Sequence, residues 1–257
     1  MNSRPTPPSN PFSTRFIRPG AATYRFPDGT SAESLAHQFV HQLNGQAAII
    51  GPHGSGKTSL LYALAPYLGV LREAHLCDGD PTPAMSPIRE ATHSQPRAEI
   101  LWFRLMQRSE QGKGSRQLTQ HHSRCNTRKL VASSPLWNRE SLVIIDGWEQ
   151  LRWPMRGWIY WKAKRSKTQL LVTAHEKTIF PTLWEATVRI EIAQQVIQDL
   201  LASQLLPSEQ NNPPLIATFQ NCELLTQRLL EHRGSLREVL FTLYDDFERT
   251  CRSDSQR

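Results

Sequence analysis

The sequence predicts an α/β fold: a mostly parallel sheet in a three-layer arrangement with helices on both faces, plus a small C-terminal helical subdomain. Three observations carry this. Short apolar runs recur at Gln46–Ile50, Ala98–Met106, Ser141–Asp146 and Thr168–Glu176, each of a length that suits a buried strand. Helical patterns alternate with these runs, as crossover connections in a parallel sheet require. After Ala193 the alternation stops, and three helical patterns follow one another.

Taken in order, residues 1–30 form a proline-rich N-terminal segment, extended and partly disordered. Ser31–Gly45 predicts a helix that Ser31 caps, Leu35, Phe39, Val40 and Leu43 line, and Gly45 stops. The Gln46–Ile50 strand ends in a Gly-rich turn, and "KTSLLYALAPYLGV" opens the next helix. His75–Pro87 reads as a loop on its proline and glycine content. The polar stretch after Met106 reads as a hairpin or mobile loop, and "TRKLVASSPLWNRE" as a short helix broken near Pro135. Ser141–Asp146 is a second buried strand, "RGWIYWKAKRSK" a helix, and Thr168–Glu176 a third buried strand. Thr187–Ala193 alternates apolar and polar residues and predicts a strand with one exposed face. The expected domains are therefore the N-terminal segment 1–30, an α/β core 31–193 and a helical subdomain 194–257.

Composition narrows the class. The chain has 257 residues, 39% hydrophobic and 21% charged, which suits one globular domain with a small appendage. No apolar run reaches the roughly 18 residues of a membrane span, and "MNSRPTPPSNPFSTRF" lacks the apolar centre of a secretory signal. A cytoplasmic location without membrane partners is the expectation. Cys77, Cys125, Cys222 and Cys251 are far apart with no CxxC pair, so reduced thiols rather than a zinc site are expected. The net charge of +7 permits a nucleic-acid partner without demanding one. "WKAKRSK" (Trp161–Lys167) is the densest basic run, read either as the solvated end of a helix or as a phosphate-binding patch. Trp148, Trp153, Trp158 and Trp161 cluster nearby, at spacings that suit core packing or a partner surface.

The stretch "GPHGSGKT" matches GxxxxGK[ST] at every fixed position. Gly51, Gly54 and Gly56 let the backbone curl through positive φ. The amides of Gly51, Pro52 to Gly56 and beyond then converge on a phosphate at the start of the following helix, proline alone lacking a donor. Lys57 can reach the β- and γ-phosphates, Thr58 can place its hydroxyl on Mg²⁺, and Ser59 extends the cradle. His53 and Ser55 occupy variable positions within it. Downstream, "LVIIDG" ends a buried strand in Asp146, at the sheet edge where ligands of open α/β sheets bind. Asp146 can hold Mg²⁺ through its water shell.

Gly51–Thr58 and Leu142–Gly147 together resemble the Walker A and Walker B motifs of the P-loop NTPases, over residues from about 45 to 195. The strand Thr168–Glu176 is placed like the sensor strand of the additional-strand division, which includes AAA+ and STAND ATPases. That resemblance implies that Thr173 and His175 read the γ-phosphate. "DGWEQL" resembles the acidic box of NACHT-type STAND proteins, with Glu149 at the first downstream acid and Gln150 in place of the second. AAA+ proteins usually carry Glu directly after the Walker B Asp, and here that position is Gly147. Glu149 is thus the candidate catalytic base beside Lys57, or else an acid at a helix N-terminus interacting with its dipole. "GSLRE" resembles the sensor 2 element of the AAA+ lid, which implies that Arg237 folds over the nucleotide. Ser235 as a cap and Glu238 in the first turn would account for the same residues locally. Asn10–Phe12 and Arg15–Pro19 could pack on the adenine, or form a packed linker.

The resemblance implies an ATP-binding, Mg²⁺-dependent hydrolase acting as a switch or motor subunit. ATP, a protein partner or further copies of the chain are the implied partners. Arg152, Arg156 and Arg189 are candidates for an arginine finger supplied in trans. A small-molecule or nucleoside kinase is the alternative that the basic spread Arg97–Lys129 keeps open. A nucleotide-dependent scaffold with little turnover is the other. No N-K-x-D signature for guanine is present, so adenine is the expected base.

Overall fold

The computed structural model describes residues 10–21, 23–27, 29–68, 71–72, 99–105, 116–139, 141–204, 219 and 221–254. The chain divides into two compact units. One comprises residues 35–49 and 64–184; the other comprises residues 1–34, 50–63 and 185–257.

The first unit is built on the sheet. Its strands are β1 (Gln46–Ile50), the two-residue β2 (Leu71–Arg72), β3 (Glu99–Arg104), β4 (Ser141–Asp146), β5 (Gln169–Ala174) and β6 (Thr182–Glu185). Their order is β2-β3-β4-β5-β1-β6. β2, β3, β4 and β5 pair in parallel. At β1, the Leu170 amide donates to the Gly45 carbonyl and the Ala48 amide to the Pro181 carbonyl. The five longer strands thus form an all-parallel α/β sheet. Parallel strands need apolar residues on both faces; all six residues of β4 are buried, as are all but the first of β5. β5 lies between β1 and β4 in the sheet although it follows both in sequence.

Helix α4 runs from Arg116 to Ser133 and continues as a 3₁₀ turn through Leu136. This corrects the expected short helix: residues 116–125 are helical rather than hairpin or loop. Their polar sequence carries no apolar stripe to announce a helix. Helix α5 (Trp153–Ser166) carries Pro154 in its first turn and stops at Lys167, whose left-handed φ of 55° closes bonds to Ala163 and Lys164. Met155, Ile159 and Ala163 form its buried face.

The second unit contains α1 (Thr14–Ile17), most of α3 (Lys57–Leu68) and three C-terminal helices. The last three are α6 (Ile190–Gln204), α7 (Cys222–Glu231) and α8 (Leu236–Asp254). Helix α2 (Ala32–His37) widens into a π-helical turn over Gln38–Gln42 at the unit boundary. The Ser31 hydroxyl accepts from the Ser34 amide at 3.1 Å, the expected cap, and Gly45 at φ 68° ends the segment. Val40, however, is 37% exposed rather than buried with Leu35 and Phe39.

The predicted strand at Thr187–Ala193 is not formed. Residues 186–189 are irregular and α6 begins at Ile190, with Ala193, Ile197, Leu200 and Leu201 buried at three- and four-residue spacing. Alternation over Val188, Ile190 and Ile192 is short, and the longer helical period prevails. The last strand is instead Thr182–Glu185. Phe12 enters the core of this unit, fully buried with Ile197, Leu225, Leu243, Phe219 and Phe247. Its ring centroid lies 5.5 Å from that of Phe219 and 6.4 Å from that of Phe247. Asn10 donates from Nδ2 to the Tyr244 carbonyl at 3.1 Å and to Glu248 at 3.0 Å. Asn10–Phe12 is thus a packed linker tied to α8, and the ring of Phe12 is not offered to an adenine. The expected loop at His75–Pro87 and the expected disorder of residues 1–9 lie outside the described residues.

Candidate functional site

The candidate residues fall into two groups, one in each unit. In the second unit the loop Gly51–Gly56 follows β1. Gly51, Gly54 and Gly56 all have positive φ, at 153°, 70° and 88°. Gly54 shows why glycine is needed: a Cβ there would collide with the Ser235 hydroxyl and lie 3.0 Å from Cβ of Arg237. The start of α8 therefore rests directly on the loop, and the predicted Arg237 is brought to it. The Arg237 guanidinium lies over the Phe241 ring at 5.5 Å. Ser235 accepts from the Glu238 amide at 3.4 Å, so the expected cap is present too.

Lys57 is buried, and its Nζ donates to the carbonyls of Gly51 at 2.6 Å and Pro52 at 2.7 Å. An ammonium with two carbonyl partners inside the loop holds the turn closed around it. Pro52 and His53 are exposed, whereas Thr58 and Ser59 are half-buried in the first turn of α3. The Ser55 hydroxyl is buried without a hydrogen-bond partner among the described residues. The Tyr24 ring also lies against the loop, with Cε2 3.2 Å from the place a Gly56 Cβ would take. Nothing in the pattern around Tyr24 signals this role, because an extended segment carries no period.

In the first unit, Arg104, Asp146 and Thr173 stand in register across β3, β4 and β5. Asp146 is buried, and its Oδ1 accepts from the Thr173 hydroxyl at 2.7 Å. Arg104 Nε lies 3.7 Å from the other oxygen. The Gly147 amide donates to Thr173 at 2.9 Å, so this one hydroxyl links the acid to the turn that follows it. That turn needs Gly147, whose φ is 100°. Thr173 thus holds the Asp146 carboxylate in one orientation.

Glu149 lies in the 3₁₀ turn Trp148–Gln150. Its Oε1 is 3.4 Å from His175 Nε2 and accepts from Gln150 Nε2 at 3.2 Å. Its Oε2 is buried and has no partner among the described residues. Arg156 braces the turn by donating to the carbonyls of Glu149 at 3.0 Å and Leu151 at 2.9 Å. The parallel strands thus bring together Asp146, Glu149, Thr173 and His175. Arg104 and Arg156 join them, and sequence pattern singled out neither for this group.

Among the described residues, no three His, Cys, Asp or Glu side chains converge as a metal cage. Cys222 is an exposed free thiol. No helix among the described residues is long and apolar enough to cross a membrane. No family model matches the chain, and no curated protein is significantly similar to it.

Proposed function

We propose that the chain binds ATP with Mg²⁺ and hydrolyses it, acting as a nucleotide-controlled switch or motor subunit of the additional-strand P-loop kind. The observation that carries the reading is the loop after β1: three positive-φ glycines closed around a buried Lys57. Backbone amides in such a turn favour a phosphate, and the ammonium can exchange carbonyl partners for phosphate oxygens. The position of β5 between β1 and β4 supports the additional-strand assignment. Arg237 at the loop supports a lid that responds to the nucleotide.

In this reading Thr58 and Asp146 serve Mg²⁺, which commonly takes one or two protein oxygens and completes its shell with water and phosphate. The bound ion supplies charge neutralisation at the phosphates. Thr173 orients the Asp146 carboxylate. His175 and Gln150 hold Glu149 Oε1, which leaves the desolvated Oε2 to accept a proton from water.

The test is phosphate release from ATP with Mg²⁺, measured beside ATP binding by calorimetry. Glu149→Gln is expected to cut release about 100-fold or more and to keep ATP affinity. Undiminished release in that variant removes Glu149 as the base. Binding without release in the wild-type chain supports the scaffold, and transfer to an added acceptor supports the kinase. An absence of ATP binding overturns the reading altogether.

A further inference from the structure

The geometry points to the solvent face of α5 as a binding platform for single-stranded nucleic acid, a role separate from the nucleotide loop. Trp153 is 81% exposed and Trp161 56% exposed. Elsewhere in the same unit tryptophan is packed: Trp148 is buried against Phe180, and Trp158 lies tilted against Trp137 with ring centroids 6.0 Å apart. Trp153 and Trp161 share one face of the helix, about 12 Å apart along its axis. Gly157 stands between them, and a Cβ added there would meet nothing within 4 Å. The two rings therefore flank an open shelf.

The charges on the helix itself are all of one sign. Helix α5 contains no acid, and it carries Arg156, Lys162, Lys164 and Arg165. Arg156 lies 5.6 Å from the Trp153 ring and Arg165 5.8 Å from the Trp161 ring. A cavity of about 370 Å³ opens beside Trp153, lined also by Arg152, Arg156 and the acid Glu149. The exposed cations Arg152, Lys164 and Arg165, beside exposed aromatic faces, match a phosphodiester chain whose bases are free to stack. Bases of a duplex are already stacked on one another, so the rings favour single strands. A lipid surface fits less well. The aliphatic residues Met155, Ile159 and Ala163 all point inward, leaving the outer face with little beyond two rings to insert.

The experiment is fluorescence anisotropy of a labelled oligothymidylate with the full chain, across a salt series. The wild-type chain is expected to bind it and to bind a duplex of equal length more weakly. Trp153→Ala and Trp161→Ala are each expected to weaken binding about tenfold, while Trp161→Phe stays near wild type. Arg165→Glu should weaken binding and flatten its salt dependence. Both rings are exposed, so melting temperatures should be unchanged, which separates loss of binding from loss of folding. The inference is overturned by alanine variants that bind as wild type, by equal affinity for duplex, or by no binding. Capture by phosphatidylserine vesicles without capture of the oligonucleotide overturns it as well.

Discussion

Lys57 and Glu149 are the two charged groups on which the proposed chemistry depends, and their surroundings differ. Lys57 has its ammonium on two carbonyls of its own loop. Glu149 has one oxygen shared by His175 and Gln150 and the other buried without a partner among the described residues. The loop stabilises its lysine from within, so the proposed phosphate binding would exchange one set of acceptors for another. The acid turn carries a desolvated oxygen that its neighbours do not satisfy. Such an atom costs stability and persists where structure around it is held by other contacts. Here those contacts are the Arg156 bonds to Glu149 and Leu151 and the T-shaped packing of Trp148 on Phe180. One region has its charge satisfied from within, and the other keeps an unsatisfied oxygen.

Four substitutions sharpen this contrast. The largest effect is expected from Lys57→Ala. Loss of a charge-assisted contact to phosphate should weaken ATP affinity about 100-fold by calorimetry. Unchanged affinity would show that the loop amides alone carry binding.

Gly54→Ala should come next. The residue sits at φ 70° against Ser235, so an added Cβ brings both backbone strain and a collision with the start of α8. A loss of about 2 kcal/mol in chemical denaturation is expected. A neutral result would mean that α8 yields easily at this point.

Thr173→Val removes the hydroxyl that joins Asp146 to Gly147. Stability should fall by about 1–2 kcal/mol, and the Mg²⁺ concentration needed for half-maximal turnover should rise. Thr173→Ser should restore both, since it returns the hydroxyl. A rise in the requirement for ATP with none for Mg²⁺ would instead favour direct reading of phosphate by Thr173.

The smallest effect belongs to Asp199→Asn. Its partner Arg25 is 2.5 Å away, and the two side chains are 42% and 49% exposed. A melting experiment should register less than about 1 kcal/mol, shrinking further with added salt.

Much of the sheet is legible in the sequence because buried parallel strands need continuous apolar runs, and Gln46–Ile50, Ser141–Asp146 and Thr168–Glu176 supply them. The turn of the loop is legible for a related reason: its three glycines stand where the backbone takes positive φ. Misreadings occur where local pattern is weak or shared by two structures. The first half of α4 is too polar to announce a helix. Thr187–Ala193 alternates over too few residues to outweigh the helical period that follows, and the four-residue β6 is too short to stand out.

The sequence by itself determined the architecture of parallel strands and trailing helices, the glycine-rich turn and the acid that ends β4. These depend on residue types at short range, where sterics and burial act directly. Tertiary structure alone decided which side chains meet. Arg237 and Tyr24 reach the loop, Phe12 enters the helical core instead of facing a ligand, and Thr173 turns toward Asp146. Such pairings come from strand register and helix packing between residues far apart in the chain, and no local pattern encodes them.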